Sequence, residues 1–204
     1  SMAGTDFDSC AHNWATQGLN YYVLARLHWN PDADVDPIIE DYCRSGFGGG
    51  WQEAKRFFAR IEALTDEIAA QQLLDFTAPY TPQVLAELRG ILDAADKAAG
   101  EDAAARARVA FLRAGLEWTA VQAELYRMAA AAKENPAGVD KEAAGKLLDR
   151  RYLMARDLFR ESHLAVNVAY LSWGEAGRFK ALGWKGPSPE TVKQAADADD
   201  AGRP

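Results

Sequence analysis

Between Trp14 and Trp29 the chain sets Trp14, Leu19, Tyr21, Tyr22, Val23, Leu24, Ala25, Leu27 and Trp29 around every side of a single helix. A helix that is apolar all round is ordinarily buried all round. In a chain of 204 residues such a helix must either run through the middle of a bundle or pack against a further layer of protein. The rest of the fold has to accommodate that demand.

The punctuation after it is readable. Asn30-Pro31 ends the helix, because a residue before proline is driven out of the α region and proline offers no amide donor. Asp36 then reads as an N-cap with Pro37 at the first helical position, and Asp32, Asp34 and Asp36 crowd the positive end of the helix dipole. This second helix is expected to end near Ser45. The glycines of Gly46-Phe47-Gly48-Gly49-Gly50 follow, read as a cap and a flexible entry to the next helix.

Downstream, Ala54, Phe57, Phe58, Ile61, Leu64 and Ile68 make one apolar stripe on a helix expected over Trp51 to Phe76. Thr81 with Pro82 reads as a capped start for the next helix, whose buried face is Val84, Leu85, Leu88, Leu92 and Ala95. From Glu101 to about Lys133 two adjacent stripes run side by side. One carries Val109, Leu112, Leu116 and Ala123; the other carries Phe111, Trp118, Val121, Leu125 and Met128, so neighbours are expected on two sides. Asn135-Pro136-Ala137-Gly138 stops that helix and Asp140 caps another. Leu164 to Leu171 fits a short strand or more helix, and alanine content favours helix. The expectation is an all-α fold, a bundle of about six or seven mostly antiparallel helices with a short non-helical N-terminal segment. Ser1-Met2 reads as a cloning remnant, residues 3–184 as a single helical domain, and residues 185–204 as an acidic tail containing Pro and Gly around a short capped turn at Ser188-Pro189.

Three segments carry a resemblance: Trp14-Ala15-Thr16-Gln17-Gly18-Leu19-Asn20-Tyr21-Tyr22, Trp29-Asn30-Pro31-Asp32-Ala33-Asp34-Val35-Asp36, and Asp41-Tyr42-Cys43-Arg44-Ser45-Gly46-Phe47-Gly48. They resemble the helical region that follows the barrel in bacterial glycoside-hydrolase-like proteins related to α-glucuronidases and hexosaminidases, a region catalogued as a domain of unknown function. Tyr80 to Leu88 and Arg108 to Leu116 extend the similarity into the chain. The resemblance implies a parent in which a TIM-type barrel holds the catalytic carboxylates and this region packs beside it, as an accessory part without activity alone. The partner it implies is that barrel, lying outside this chain, or else a second copy meeting it through the first helix. The alternative is a self-sufficient α-helical module that binds carbohydrate or a protein partner, with exposed tryptophans as its platform.

Chemistry-bearing residues are few. Glycoside hydrolysis needs two carboxylates across the scissile bond, and no pair stands out. Asp6 and Asp8 alternate, as on one face of an extended strand. Where the resemblance places them, at the end of the last barrel strand, barrel enzymes build their sites. Asp6, Asp8, His12 and Trp14 are therefore the candidates for residues near a sugar in a complete protein, against the plainer roles of cap, carbonyl partner and core. Trp51 and Trp184 are candidates for stacking on sugar rings, against packing, which is the commoner fate of tryptophan. His28 and His163 lack a second ligand at metal spacing, so no metal is expected, and no cofactor motif is present. Cys10 and Cys43 form no CxxC pair, and two unpaired thiols, at least one of them buried, are expected.

The net charge of −7 runs against a nucleic-acid footprint, and no run reaches membrane-spanning length. Arg106, Arg108, Arg113, Arg150, Arg151, Arg156 and Arg160 are interleaved with acids and read as solvated faces and ion pairs.

Overall fold

The computed structural model describes residues 13–168 and 177–201. Among these it holds seven α-helices and no strand: α1 (Trp14–Trp29), α2 (Val35–Phe47), α3 (Trp51–Ala70), α4 (Pro82–Ala99), α5 (Ala103–Glu134), α6 (Lys141–Glu161) and α7 (Pro189–Ala201). Short 3-10 turns occupy Gly48–Gly50 and Arg178–Leu182. The all-α bundle expected from periodicity is the fold observed.

The helix starts follow local chemistry. Thr81 Oγ1 accepts from the Val84 amide with Pro82 in the first turn. Asp102 accepts from Ala104 and Ala105, and Asp140 from Glu142 and Ala143, each satisfying amides that have no intrahelical partner. Helix α2 departs from expectation: Asp34, not Asp36, is its N-cap, and the helix begins at Val35. Pro37 then lies in the first turn, where its absent N–H still breaks no bond. Helix α3 ends at Ala70, short of Phe76. Gln72 turns left-handed at φ +52°, and Leu74 and Phe76 stand in solvent at 96% and 69% exposure.

Helix α5 is the spine. Near its N-terminus Val109, Leu112 and Leu116 close a core with Leu19, Cys43, Phe47, Phe57, Phe58, Leu64, Leu88, Ile91 and Leu92 from α1 to α4. Phe47, Phe57, Phe58 and the half-buried Tyr42 meet there edge to face or tilted. Beyond Ala120, Val121, Leu125, Ala129 and Ala132 build a second core with Ala144 and Leu148 of α6 and with Phe179 and Leu182. Between the two, Trp118 joins Ala15, Leu158, Ala165, Val166 and Val168.

Two segments differ from the sequence reading. Residues 163–167 do not form helix: 163–165 turn and 166–167 take no regular structure, and the carbonyls of Leu164 and Ala165 accept hydrogen bonds from the first amides of α1, at Trp14 (2.9 Å) and Ala15 (3.2 Å); Val168 is helical, and residues 169–171 lie outside the described residues. The stretch read as an acidic tail carries helix α7. Ser188 caps it, Asp149 of α6 accepts from the Ser188 amide and the Thr191 hydroxyl, and Arg156 donates to the Ala195 carbonyl. Thr191 and Ala195 are buried there.

The glycine run is a seam and not a hinge. Gly48 is left-handed at φ +49°, and a Cβ on Gly49 or Gly50 would lie 2.3 Å from the Ala98 carbonyl oxygen or 2.4 Å from that of Ala95. Main chain therefore packs directly on the backbone of α4. Gly50→Ala is expected to lower stability by about 1–3 kcal/mol, the usual penalty for forcing atoms into a packed contact. Gly46→Ala, which meets open space within a helix, is expected to be neutral or slightly stabilising. Urea denaturation of the two variants checks the pair.

Candidate functional site

The apolar first helix does not run through the middle of the bundle. It lies along α2 and α5, with Ala15 and Leu19 buried and Tyr21, Tyr22, Val23, Leu24 and Leu27 only half-buried. Trp14 is 45% exposed and Trp29 91%. Its start is pinned by the two carbonyls at 164 and 165 and by Asn13 Oδ1, which accepts from the Asn167 amide. A hydrophobic helix held this firmly and covered this little leaves a hollow on each flank.

On one flank, α1, α2 and α5 enclose a cavity of about 330 Å³. Trp14, Tyr22, Tyr42, Phe47, Phe111 and Leu112 form most of its wall, with Ser45, Gly46 and Arg108 supplying polar groups. Trp14 is held edge-on by Tyr21 at 5.1 Å. At the rim, the Tyr22 hydroxyl donates to Asp41 (2.5 Å) and accepts from Arg26 (3.0 Å), while Arg26 pairs with Asp41 at 3.1 Å. The hydrogen bond to Asp41 raises the Tyr22 phenol, and the same bond, with Arg26, holds the Asp41 carboxyl below its usual range. Burial raises the Tyr42 phenol, with a smaller opposing effect from Arg108.

On the other flank, α1, α2 and α3 border a groove of about 710 Å³. Val23, Leu27, Val35, Ile39, Phe58 and Ile61 give it a carbon floor, and Asp36, Glu62 and Asp66 edge it. Lys55, also on this groove, is paired with Glu40.

The residues singled out from sequence fare differently. Asp6, Asp8, His12 and Cys10 lie outside the described residues. Trp14 does line a cavity. Trp51 is half-buried and Arg44 stacks over its ring at 3.8 Å, so a cation, held in turn by Glu40, already covers that face. Trp184 is half-buried against the second core, with its indole nitrogen out of solvent.

Arg151, read as part of a solvated face, is instead 8% exposed, its Nε bonded to buried Gln122 and its guanidinium beside the rings of Trp118 and Phe179. Its position one turn from Leu148, on a helix with a single apolar stripe, was the available signal. Cys43 is a buried, free thiol that burial pushes up to about 11. Among the described residues no three His, Cys, Asp or Glu side chains come together as a metal site, and no helix is long and apolar enough to cross a membrane.

Among the described residues, the carboxyls whose pKa the structure shifts, Glu40, Asp41, Asp96, Glu117 and Asp149, are all lowered. In Glu117 the largest influence is the two-point hydrogen bond from Arg89, at 2.6 and 2.8 Å. Such groups stay ionised, whereas a glycosidic general acid must hold a proton near neutral pH. Against known proteins, the chain matches no family model, no curated protein and no solved structure.

Two outcomes follow from these environments. Only the thiolate attacks disulfide reagents, so native protein should leave Cys43 unmodified at pH 8 and react there only on unfolding, as thiol titration with peptide mapping will show. For Asp149, burial works upward but the bonds from Ser188 and Thr191 prevail and lower it. A lowered carboxyl stabilises the fold above its unfolded value, near 4, and that contribution disappears as pH falls through the folded value. Asp149→Asn should therefore loosen α7 at pH 7 and flatten the acid limb of stability, measured by hydrogen exchange at residues 189–201.

Proposed function

We propose that this chain is a helical accessory module of a larger carbohydrate-active, glycoside-hydrolase-like protein, docking through α1 onto a catalytic barrel and performing no catalysis alone. The observation that carries this reading is the poor coverage of α1: a helix with apolar residues on every side that keeps Trp29 91% and Trp14 45% exposed. Large apolar surface next to a long carbon-floored groove marks a protein contact. The opening motifs, through their resemblance to the region after such barrels, supply the partner. The arginine-held carboxylates Glu117 and Asp96, both lowered by their partners, favour a structural role over an acid–base one.

Alone, the chain should self-associate through the same face. Leu27→Glu with Trp29→Glu should yield a monomer of unchanged helicity in light scattering and circular dichroism, whereas a strict monomer for the unaltered chain at high concentration counts against the docking face. Co-expressed with the barrel encoded ahead of Gly4 in the same reading frame, the chain should co-purify in equal amounts and Trp29 should lose its access to acrylamide. A reading frame with no barrel strands there overturns the proposal.

A further inference from the structure

Arg108 at the aromatic cavity stands apart from its neighbours. Arg106 and Arg113, on the same helix, are paired with Asp96 and Asp93 of α4 at 3.0 and 2.8 Å. Arg108 has no carboxylate partner among the described residues in a chain of net charge −7; its one hydrogen bond, from Nη1 to the Gly46 carbonyl at 3.1 Å, fixes the guanidinium at the cavity and leaves its other donors unused. The Tyr42 hydroxyl, on the same cavity, likewise makes no hydrogen bond to a described residue, although the side chain is half-buried. Asp41, whose partner Tyr22 lines the cavity, is already paired with Arg26 and bonded by Tyr22. An unspent cation and an unspent hydroxyl therefore share a hollow whose other walls, Ser45 and Gly46 apart, are indole, phenol, phenyl and leucine carbon.

We propose that this cavity binds a small aryl carboxylate, its ring among Trp14, Tyr22, Tyr42 and Phe111 and its carboxylate on Arg108 and the Tyr42 hydroxyl. The volume of about 330 Å³ suits one or two fused rings. Planar guanidinium meets carboxylate in a two-point bond. An aromatic guest gains edge and face contacts from the walls. A sugar acid would satisfy Arg108 equally, but a hydroxyl on nearly every ring carbon would then face hydrocarbon, and an unmatched hydroxyl is costly to bury. The assignment is independent of the docking role of α1.

Titration calorimetry and saturation-transfer NMR on the full chain, with phenylacetate, indole-3-carboxylate, benzyl alcohol and galacturonate as probes, test this. Both aryl acids should bind, benzyl alcohol more weakly, and galacturonate not at ~10 mM, a concentration that detects free energies near −3 kcal/mol. Arg108→Met should weaken the aryl acids about 10- to 100-fold, the range for a charge-assisted hydrogen bond, and leave benzyl alcohol within about twofold. Tyr42→Phe, which keeps the ring packing, should give a smaller loss for the acids alone and guards against an Arg108 variant that misfolds. The proposal is overturned if neither aryl acid binds, if galacturonate binds as well as they do, or if the acids bind Arg108→Met and Tyr42→Phe as tightly as the unaltered chain.

Discussion

The structure depends on α5 carrying two apolar stripes instead of one. At 1.5 Å per residue its 32 residues span roughly 48 Å, longer than any other helix here, so no single neighbour can cover it. The first half is covered by α2 and α4, the second by α6 and the 3-10 turn at Arg178–Leu182, and Trp118 fills the join. Each smaller element is short of burial partners by itself. Together they form three contiguous patches of core on one continuous support.

Helix α1 is the exception to that economy. It is apolar enough to be a core helix, yet it sits where α5 has little left to offer it, and it touches the bundle through a narrow strip around Ala15 and Leu19. Its ends are secured by backbone and polar contacts: carbonyls 164 and 165 at the start, Arg26 and Tyr22 to Asp41 further along. Rigid attachment without coverage produces both the aromatic cavity and the acid-edged groove. A protein-facing surface and a small-molecule hollow thus arise from one helix left partly outside.

Much of the architecture was legible because it rests on local rules. Thr81-Pro82 and Asp140 cap as their side chains predict, and the stripes of α3, α4 and α5 bury or half-bury the residues their spacing selects. What failed did so where a distant group outweighed a local preference. Residues 163–167 gave up helix to accept the α1 amides, and residues 189–201 gained one because Asp149 and Arg156 hold it. The glycine run looks flexible in one dimension and is a tight backbone contact in three.

The site followed the same division. Sequence by itself determined the all-α grammar of α1 to α6, the all-round apolarity of α1 and the presence of Trp14, Tyr42 and Arg108, since periodicity, capping and composition act within a few residues of chain. Only the tertiary structure decided that Trp51 lies under Arg44, that Arg151 is buried, and that Arg108 alone of three nearby arginines lacks an acid. Pairing and burial depend on which helix faces are brought together, and the register between α4 and α5 set those distances. Arg108, exposed and bonded to the Gly46 carbonyl of α2, is left at the edge of the aromatic cavity.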